Sequence, residues 1–289
     1  MKIFSLLRKN NFITSNLKEL KTTITASRRW SINLKEIVSY RELLWMLAYR
    51  DYRVRYAQTF LGFGWAFLQP FLTLVIFILV FNKAAKVDTG QIPYPIFAMA
   101  GMWAWSYFSY VMTQAGQSII ASQALITKIY FPRLIIPISK SIVGFIDFAV
   151  SFLMLIVLMI YFRFIPSSNI IALPLLILAV IALSLGVGIW LSALTIRFRD
   201  IQYVIPFMVQ IGLYLTPVAY PSSIIPSQYK SLYYLNPMAG IIDGFRWSLL
   251  NSPLPDSRYL FYSVAITLLI LVSGVYYFRR VERVMADII

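Results

Sequence analysis

Two residue types are missing from this 289-residue sequence, cysteine and histidine, and their absence removes several kinds of chemistry at once. Without cysteine the chain has no disulfide, no thiolate nucleophile and no zinc site of the usual kind. Without histidine it has neither imidazole acid–base catalysis nor haem ligation through histidine. No glycine is followed by lysine, so the phosphate-binding P-loop is absent too, and any ATP hydrolysis must occur on another polypeptide.

Acidic residues are few, with 11 Asp and Glu against 26 Lys and Arg. Only Asp147 lies within a long apolar stretch, and no second carboxylate shares its predicted helix. Because a pair of carboxyl groups for glycosyl transfer or hydrolysis has no place to form, we predict that the chain is not an enzyme. We expect Asp147 to pair with Lys140 or with a neighbouring helix, since a proton relay needs several titratable groups in sequence.

Apolar residues are abundant: 60% of the sequence is hydrophobic, 13% is charged and the mean hydropathy is +0.73. This composition is typical of a polytopic membrane protein. The formal net charge of +15 does not indicate nucleic acid binding, because the basic residues flank apolar segments and do not form one stripe interleaved with aromatic residues.

Six apolar segments predict an all-α fold with six transmembrane helices. On this topology 20 of the 26 Lys and Arg residues lie on the inner side, which predicts that both termini are cytoplasmic. Residues 1–33 form a polar, basic cytoplasmic segment without the apolar run of a cleaved signal peptide. The predicted spans are about Thr59–Phe81, Ile96–Gly116, Pro137–Tyr161, Ile171–Leu194, Ile201–Tyr220 and Tyr259–Phe278.

A helical period before the first span predicts an N-terminal amphipathic interface helix over residues 34–56, followed by the transmembrane domain over residues 57–289. The helix either lies on the inner membrane surface, with Trp45 and Tyr49 at the level of the lipid headgroups, or packs on a soluble partner. Both interpretations stay open. Its apolar stripe consists of Ile37, Tyr40, Leu44 and Leu47.

Five prolines interrupt the segment between the fifth and sixth spans, about residues 221–256. Its apolar part, Met238–Leu250, is too short to cross a membrane, which predicts short re-entrant helices there; a plain surface loop is the alternative. Asn236 followed by Pro237 is a typical helix start, and Asp243 and Arg246 are spaced to pair on that helix.

Aromatic side chains recur at helical spacing on three of the predicted spans. Such stripes offer apolar ring faces and polar edges to sugar rings and suit a carbohydrate path; interfacial belts and helix packing are the alternative explanation. Gln210 favours a wet lining, because an amide that faces lipid is costly. The candidate channel residues are Phe60, Phe63, Phe67, Phe71, Trp103, Tyr107, Tyr203, Phe207, Gln210 and Tyr214.

Three arginines, Arg50, Arg53 and Arg55, come just before the first predicted span. They either bind a lipid-linked pyrophosphate at the inner headgroup level or, the commoner role for such residues, anchor and orient the helix. The spacing of Asp51 and Arg55 also permits an ion pair along the helix.

Long runs of the sequence resemble the membrane subunits of ABC-2 type polysaccharide exporters, the permeases for O-antigen, capsule and teichoic acid. The resemblance is collinear from about Arg41 to the C-terminus. The runs that carry it are RDYRVRYAQTFLGFGWAFLQP from Arg50, IPYPIFAMAGMWAWSYF from Ile92, LITKIYFPRLIIP from Leu125, RFRDIQYVIPFMVQIGLYLTPVAYPSSIIP from Arg197 and LNPMAGIIDGFRW from Leu235.

The resemblance implies a homodimeric permease without a cofactor of its own, joined to two copies of a separate ABC ATP-binding subunit that holds ATP and Mg. The first and fifth spans of the two chains would line the channel. The amphipathic helix and a coupling loop of about residues 117–132 would contact the ATP-binding subunits. The implied contact residues of that loop are Ala124, Leu125, Ile126, Thr127, Lys128 and Tyr130.

The implied function is ATP-driven export of an undecaprenyl-pyrophosphate-linked, O-antigen-like polysaccharide from the cytoplasmic side across the bacterial inner membrane. Two alternatives stay open. An ABC-2 permease for a small lipid or drug is disfavoured by the aromatic stripes. An ATP-independent flippase is disfavoured by the absence of repeated halves and of intramembrane ion ligands.

Overall fold

A computed structural model describes residues 34–57, 59–283 and 285 of the chain. Every regular element in this part of the chain is helical, which confirms the predicted all-α class there. The predicted cytoplasmic segment 1–33 lies outside the described residues.

The main helices follow one another with short connections. They are α1 (Leu34–Ser39), α2 (Arg41–Tyr56), α3 (Gly62–Ala84), α4 (Tyr94–Ala121), α5 (Gln123–Ile126), α6 (Ile135–Tyr161), α7 (Leu173–Arg197), α8 (Ile201–Leu215), α9 (Lys230–Tyr233), α10 (Pro237–Leu250) and α11 (Ser257–Glu282). Single 3-10 turns precede α7 at Ser168–Ala172 and α9 at Ser222–Ile224 and Ser227–Tyr229.

Four helical segments in the described part are long and apolar enough to cross a membrane: Gly62–Ala84, Ile135–Tyr161, Ser168–Arg197 and Ser257–Glu282. The second predicted span lies in α4, which is 28 residues long but carries several Ser, Thr and Gln residues. The fifth lies in α8, which has only 15 residues. The count of six spans therefore stays a prediction.

Helix α8 ends five residues before the predicted boundary at Tyr220, and the reason is Pro217. A proline restricts the residue before it to extended backbone. Thr216 accordingly has φ −111° and ψ 143°, so the helix stops at Leu215. At about 1.5 Å per residue, α8 is roughly 22 Å long and shorter than a hydrocarbon core of about 30 Å.

Helix α4 is the centre of the bundle. It packs against α6 and α7, and α7 packs in turn against α11. Glycine permits the closest of these crossings: a Cβ on Gly274 of α11 would lie 2.7 Å from the carbonyl oxygen of Gly186 on α7. Small residues of this kind let helix backbones approach closely inside a membrane.

The ends of α4, α7 and α11 and the start of α6 meet in one apolar group, the inner cluster. Helices α4, α7 and α11 therefore run in the same direction, and α6 runs in the opposite direction. The inner cluster contains Leu47, Ile119, Ile126, Phe131, Leu134, Ile135, Ile136, Ile189, Ala193, Ile196, Phe278, Val281 and Met285.

The predicted interface helix is broken at Tyr40, where a turn separates α1 from α2. Along its apolar stripe the helix packs on the chain's own bundle. Leu47 belongs to the inner cluster, and Ile37, Tyr40 and Leu44 pack against that cluster. The stripe is buried by the chain's own bundle, whereas the side chain of Trp45 is 63% exposed on the outer side of α2.

Helix α10 begins where the sequence indicates. The side chain of Asn236 accepts a hydrogen bond from the backbone N–H of Met238 at 3.1 Å, and Pro237 occupies the first helical position. Asn251, in the left-handed conformation at φ 55°, ends the helix. Insertion of α10 into the membrane as a re-entrant helix stays a prediction.

Candidate functional site

The aromatic stripe of α3 lies on the surface of the chain. Phe60, Phe63, Phe67 and Phe71 are all exposed, and the rings of Phe67 and Phe71 stack with centroids 6.2 Å apart. Phe67 and Phe71 share one face of the α-helical part, at a step of four residues, whereas Phe60 lies in the turn before α3 and Phe63 in the 3-10 turn Gly62–Gly64 at its start. No described part of the chain covers that face.

Helix α8 carries the matching stripe. Tyr203, Phe207, Gln210 and Tyr214 are exposed, Tyr203 to 83%. Ile205 is the one fully buried residue of α8, and it attaches the helix to α4 beside Gly116. Helix α8 is thus held along a narrow line and presents most of its surface outward.

The two candidates on α4 lie elsewhere. Trp103 is 1% exposed and stacks on Phe148 and Phe152 of α6, with centroids 4.6 and 4.5 Å away, while its Nε1 donates to the carbonyl of Phe148. Tyr107 is fully buried, with its hydroxyl 2.6 Å from the Ser141 hydroxyl. Their shared face was predicted, but it packs against α6 and does not join the exposed stripes.

Two ion pairs fix α2 to α6. Lys140 Nζ donates to Asp51 Oδ2 at 2.6 Å, and Arg55 donates to Asp147 Oδ2. The Tyr56 hydroxyl donates to the other oxygen of Asp147 at 2.9 Å. The expected pairing of Asp147 with a neighbouring helix is therefore confirmed.

The structure shows which of the possible partners these charges take. Asp51 pairs with Lys140 and with Arg50, at 2.9 Å, and not with Arg55. Asp147 pairs with Arg55 and not with Lys140 of its own helix. The cause is the packing of α2 on α6, because it removes these groups from water and places each carboxylate opposite a cation of the other helix.

Arg55 and Asp147 stay charged, and Tyr56 stays hydrogen-bonded to Asp147. Burial alone would lower the pKa of the Arg55 guanidinium, but the charge and the hydrogen bond of Asp147 raise that pKa above its ordinary value. The pKa of the Tyr56 hydroxyl is also raised, first by burial and then by the Asp147 carboxylate. Tyr56 therefore remains a donor.

The three candidate headgroup arginines consequently differ. Arg50 is paired with Asp51 and Arg55 with Asp147. Arg53 is exposed, lies 5.9 Å above the ring of Tyr49 and is the one of the three without a carboxylate partner among the described residues.

A buried arginine organises the opposite end of the bundle. Arg246 of α10 is 1% exposed, and it donates to the carbonyls of Val218 at 2.7 Å and Phe97 at 3.3 Å. Its guanidinium lies 3.6 Å from the centre of the Phe97 ring. The predicted pair with Asp243 is present at 3.9 Å. Arg246 thereby ties the segment after α8 to α4 and α10.

The predicted coupling loop contains the short helix α5. Ile126 is buried in the inner cluster and Leu125 packs against that cluster, so these two side chains hold the loop in place. The other four predicted contact residues, Ala124, Thr127, Lys128 and Tyr130, are exposed.

Two neighbouring cavities lie beside the α2–α6 ion pairs. The first, of about 390 Å³, lies between α3, α4, α6 and α8, and the second, of about 350 Å³, reaches Asp51 and Lys140. Arg55, Tyr110 and Gln114 line both. In the part of the chain that the structure describes, no three acidic side chains group closely enough to hold a metal ion.

The pair between Arg55 and Asp147 can be tested by its contribution to stability. Asp147→Asn leaves Arg55 half-buried without its carboxylate, which we expect to cost about 1–3 kcal/mol. The midpoint of thermal unfolding of the full chain in detergent should fall by several degrees. Exchanging the charges, with Arg55→Asp and Asp147→Arg together, should restore part of the loss.

Arg258→Gln is the control for this experiment, because it removes an exposed pair with Asp256 on the N-terminal turn of α11. We expect no measurable change from it. A midpoint for Asp147→Asn equal to that of Arg258→Gln, or a charge exchange worse than either single change, would contradict the assignment.

Comparison with known proteins gives a consistent result. The ABC-2 type transporter family matches residues 42–250. The chain is 28% identical over 253 residues to the O-antigen export system permease protein RfbA of Myxococcus xanthus, covering 86% of this chain and 96% of that protein. It is 28% identical over 262 residues to the RfbA protein of Klebsiella pneumoniae, covering 90% and 100%. The polysialic acid transport protein KpsM of Escherichia coli is 24% identical over 237 residues, covering 82% and 92%.

The family match extends over nearly all of α2, the helices α3 and α8, the loop that contains α5, and α10, and it ends before α11. It covers well over half of the chain. The protein therefore belongs to the ABC-2 type transporter family.

Proposed function

We propose that the chain is the permease subunit of an ATP-driven exporter that moves a lipid-linked polysaccharide from the cytoplasmic side across the inner membrane. One observation carries this proposal: three relatives that export O-antigen or transport polysialic acid match the chain over most of its length and of theirs. Since the sequence has no P-loop, ATP and Mg would be held by a separate ABC ATP-binding subunit.

The exposed faces of α3 and α8 support a homodimer with the path between its two chains. A large aromatic face with an amide in it is poorly suited to lipid, because Gln210 would lose its hydrogen bonds to water there. Between two chains the rings would meet sugar C–H faces and the amide would stay wet. Trp103 and Tyr107 lie behind this face and support it through the packing of α4 on α6.

The inner end of the chain supports the coupling of this path to two ATP-binding subunits. Ala124, Thr127, Lys128 and Tyr130 stand exposed on a loop that Leu125 and Ile126 anchor in the inner cluster. A push on that loop would move the start of α6 and, through the two ion pairs, α2. With both termini cytoplasmic, α2 and the loop lie on the same side.

The arginines divide between the two roles considered for them. Arg55 is neutralised by Asp147 and serves to orient α2, whereas Arg50 shares the Asp51 carboxylate with Lys140. Arg53 is exposed and has no carboxylate partner among the residues that the structure describes, and it is the contact we propose for the undecaprenyl pyrophosphate at the inner headgroup level.

Transport in reconstituted vesicles tests the function. We expect vesicles that hold the chain together with its ATP-binding partner to move an undecaprenyl-pyrophosphate-linked glycan when ATP is supplied, and vesicles with the chain alone to move none. Translocation without ATP would contradict the proposal and favour a flippase. ATP-dependent movement of a small lipid or drug, but not of the glycan, would favour the other alternative.

The path is tested by removing two rings from α8 together. Phe207→Ala with Tyr214→Ala should slow export several-fold, because each aromatic contact contributes about 0.5–1.5 kcal/mol. Insertion and unfolding temperature should be unchanged, since both rings are exposed. The measurements are glycan export in the same vesicles and the amount of inserted chain.

A second double variant, which removes two exposed rings from other helices, controls for the loss of exposed aromatic area. Tyr161→Ala with Phe261→Ala removes a tyrosine of α6 and a phenylalanine of α11 that are exposed outside α3 and α8. This control should export at the normal rate. Normal export by the α8 variant as well would show that the stripe serves only for packing.

A further inference from the structure

The cavity of about 390 Å³ between α3, α4, α6 and α8 opens to the surface of the chain, where Gln69 and Gln114 are exposed, and its wall carries several polar side chains. It is separate from the aromatic faces. On α3 the cavity is lined by Gln69 and Thr73, which lie nearly half a turn away from Phe67 and Phe71. Its polar lining residues include Gln69, Thr73, Ser109, Thr113, Gln114 and Ser151.

Ser151 is the informative member of this lining. It is 2% exposed, and its hydroxyl has no hydrogen bond to any described residue. Other buried serines of the bundle return their hydroxyl to their own helix: Ser139 donates to Ile136 at 2.7 Å and Ser184 to Val180 at 2.6 Å. The Ser151 hydroxyl lines the cavity and is therefore available to form a hydrogen bond with a polar occupant there.

Hydrogen-bonding capacity is also free on the other walls. The side-chain amides of Gln69 and Gln114 make no hydrogen bond within the described part of the chain, and each has donors and acceptors. Thr73 and Thr113 donate to their own helices at 2.9 and 2.8 Å, which leaves their oxygen lone pairs as acceptors. Donors and acceptors therefore both face the same space.

The charges of the cavity lining favour a neutral occupant. Arg55 and Asp147 are its charged lining residues, and they neutralise one another. Trp105, Phe77 and Met102 add apolar surface. A neutral molecule with many hydroxyl groups and apolar C–H faces, such as a sugar ring, matches such walls better than an anion or a cation does.

The neighbouring cavity provides an entrance. It reaches Asp51 and Lys140 at the inner end, and Arg55, Tyr110 and Gln114 separate it from the first. The Arg55 guanidinium lies 4.6 Å from the centre of the Tyr110 ring and is held by Asp147. A movement of α2 that released Arg55 would join the two spaces.

We propose that this cavity is a saccharide subsite within each chain, where Gln69, Gln114 and Ser151 bind a neutral sugar residue of the transported glycan. The choice of a sugar as the ligand rests on the proposed function, whereas the geometry of the cavity does not depend on that function. It assigns to one chain a binding site apart from the aromatic path between two chains.

The absence of cysteine from the sequence makes the test direct. In the full chain, purified in lipid nanodiscs, Ser151→Cys supplies a single thiol on the cavity wall. We expect a small uncharged methanethiosulfonate to modify it, and methyl α-glucopyranoside to slow that modification several-fold. Glucuronate, of similar size but charged, should slow it much less.

Two controls accompany the labelling. Ser257→Cys, exposed at the start of α11, should react at the same rate with or without the glycoside. Gln69→Leu with Gln114→Leu should remove the protection of the thiol at position 151. If Ser151→Cys fails to fold, Thr113→Cys on the α4 wall takes its place.

Three results would overturn the proposal: a thiol at position 151 that the reagent cannot reach, modification that the glycoside does not slow, or equal protection by glucuronate. Labelling needs neither ATP nor a partner subunit. If the glycoside protects the thiol but no glycan is exported, the subsite is supported and the proposed function is refuted. If glycan is exported but the glycoside does not protect the thiol, the proposed function is supported and the subsite is refuted.

Discussion

The pairing of charges between α2 and α6 determines how the inner end of this protein is built. Asp51 with Lys140 and Arg55 with Asp147 are largely removed from water, and each charge is tolerated there only because its partner lies on the facing helix. The two pairs hold α2 against the bundle at separate points, so the helix cannot slide without breaking both. The same residues line the two cavities, and Arg55 stands between them.

Because α2 is attached to α6, the predicted interface helix is packed on the chain's own bundle. Its apolar stripe packs into the inner cluster together with the anchors of the coupling loop, so α2, α5 and the start of α6 form one packed unit. Force applied to any of these elements is transmitted to the others through close-packed side chains and ion pairs. The arrangement leaves two features for which we propose a role in transport: the exposed aromatic faces of α3 and α8, and the cavity between α3, α4, α6 and α8, which opens to the surface of the chain.

Local signals in the sequence predicted local structure well. The apolar runs located the long helices, Asn236 and Pro237 marked the start of α10, and the spacing of Asp243 and Arg246 indicated their pair. The early end of α8 also had a local signal, Pro217, that the prediction of a longer span did not use.

No local signal in the sequence indicates which residues a side chain contacts on another helix of the bundle. Trp103 and the stripe of α2 lie on helix faces that the sequence period identified, whereas the partner of Asp51 was not predicted; all of their neighbours depend on which helices pack together. The free hydroxyl of Ser151 belongs to the same class, because a serine in an apolar helix ordinarily bonds to its own backbone.

The central claim is that α8 faces a second copy of the chain and not lipid. A single spin label per chain, on Phe207→Cys of α8, Val157→Cys of α6 or Phe261→Cys of α11, measures one distance between the two copies in the assembled exporter, because all three positions are exposed and the native chain has no cysteine. The account predicts that the distance between labels at position 207 is the shortest of the three. If that distance is the longest, α8 faces lipid, and the aromatic faces cannot line a path between two chains.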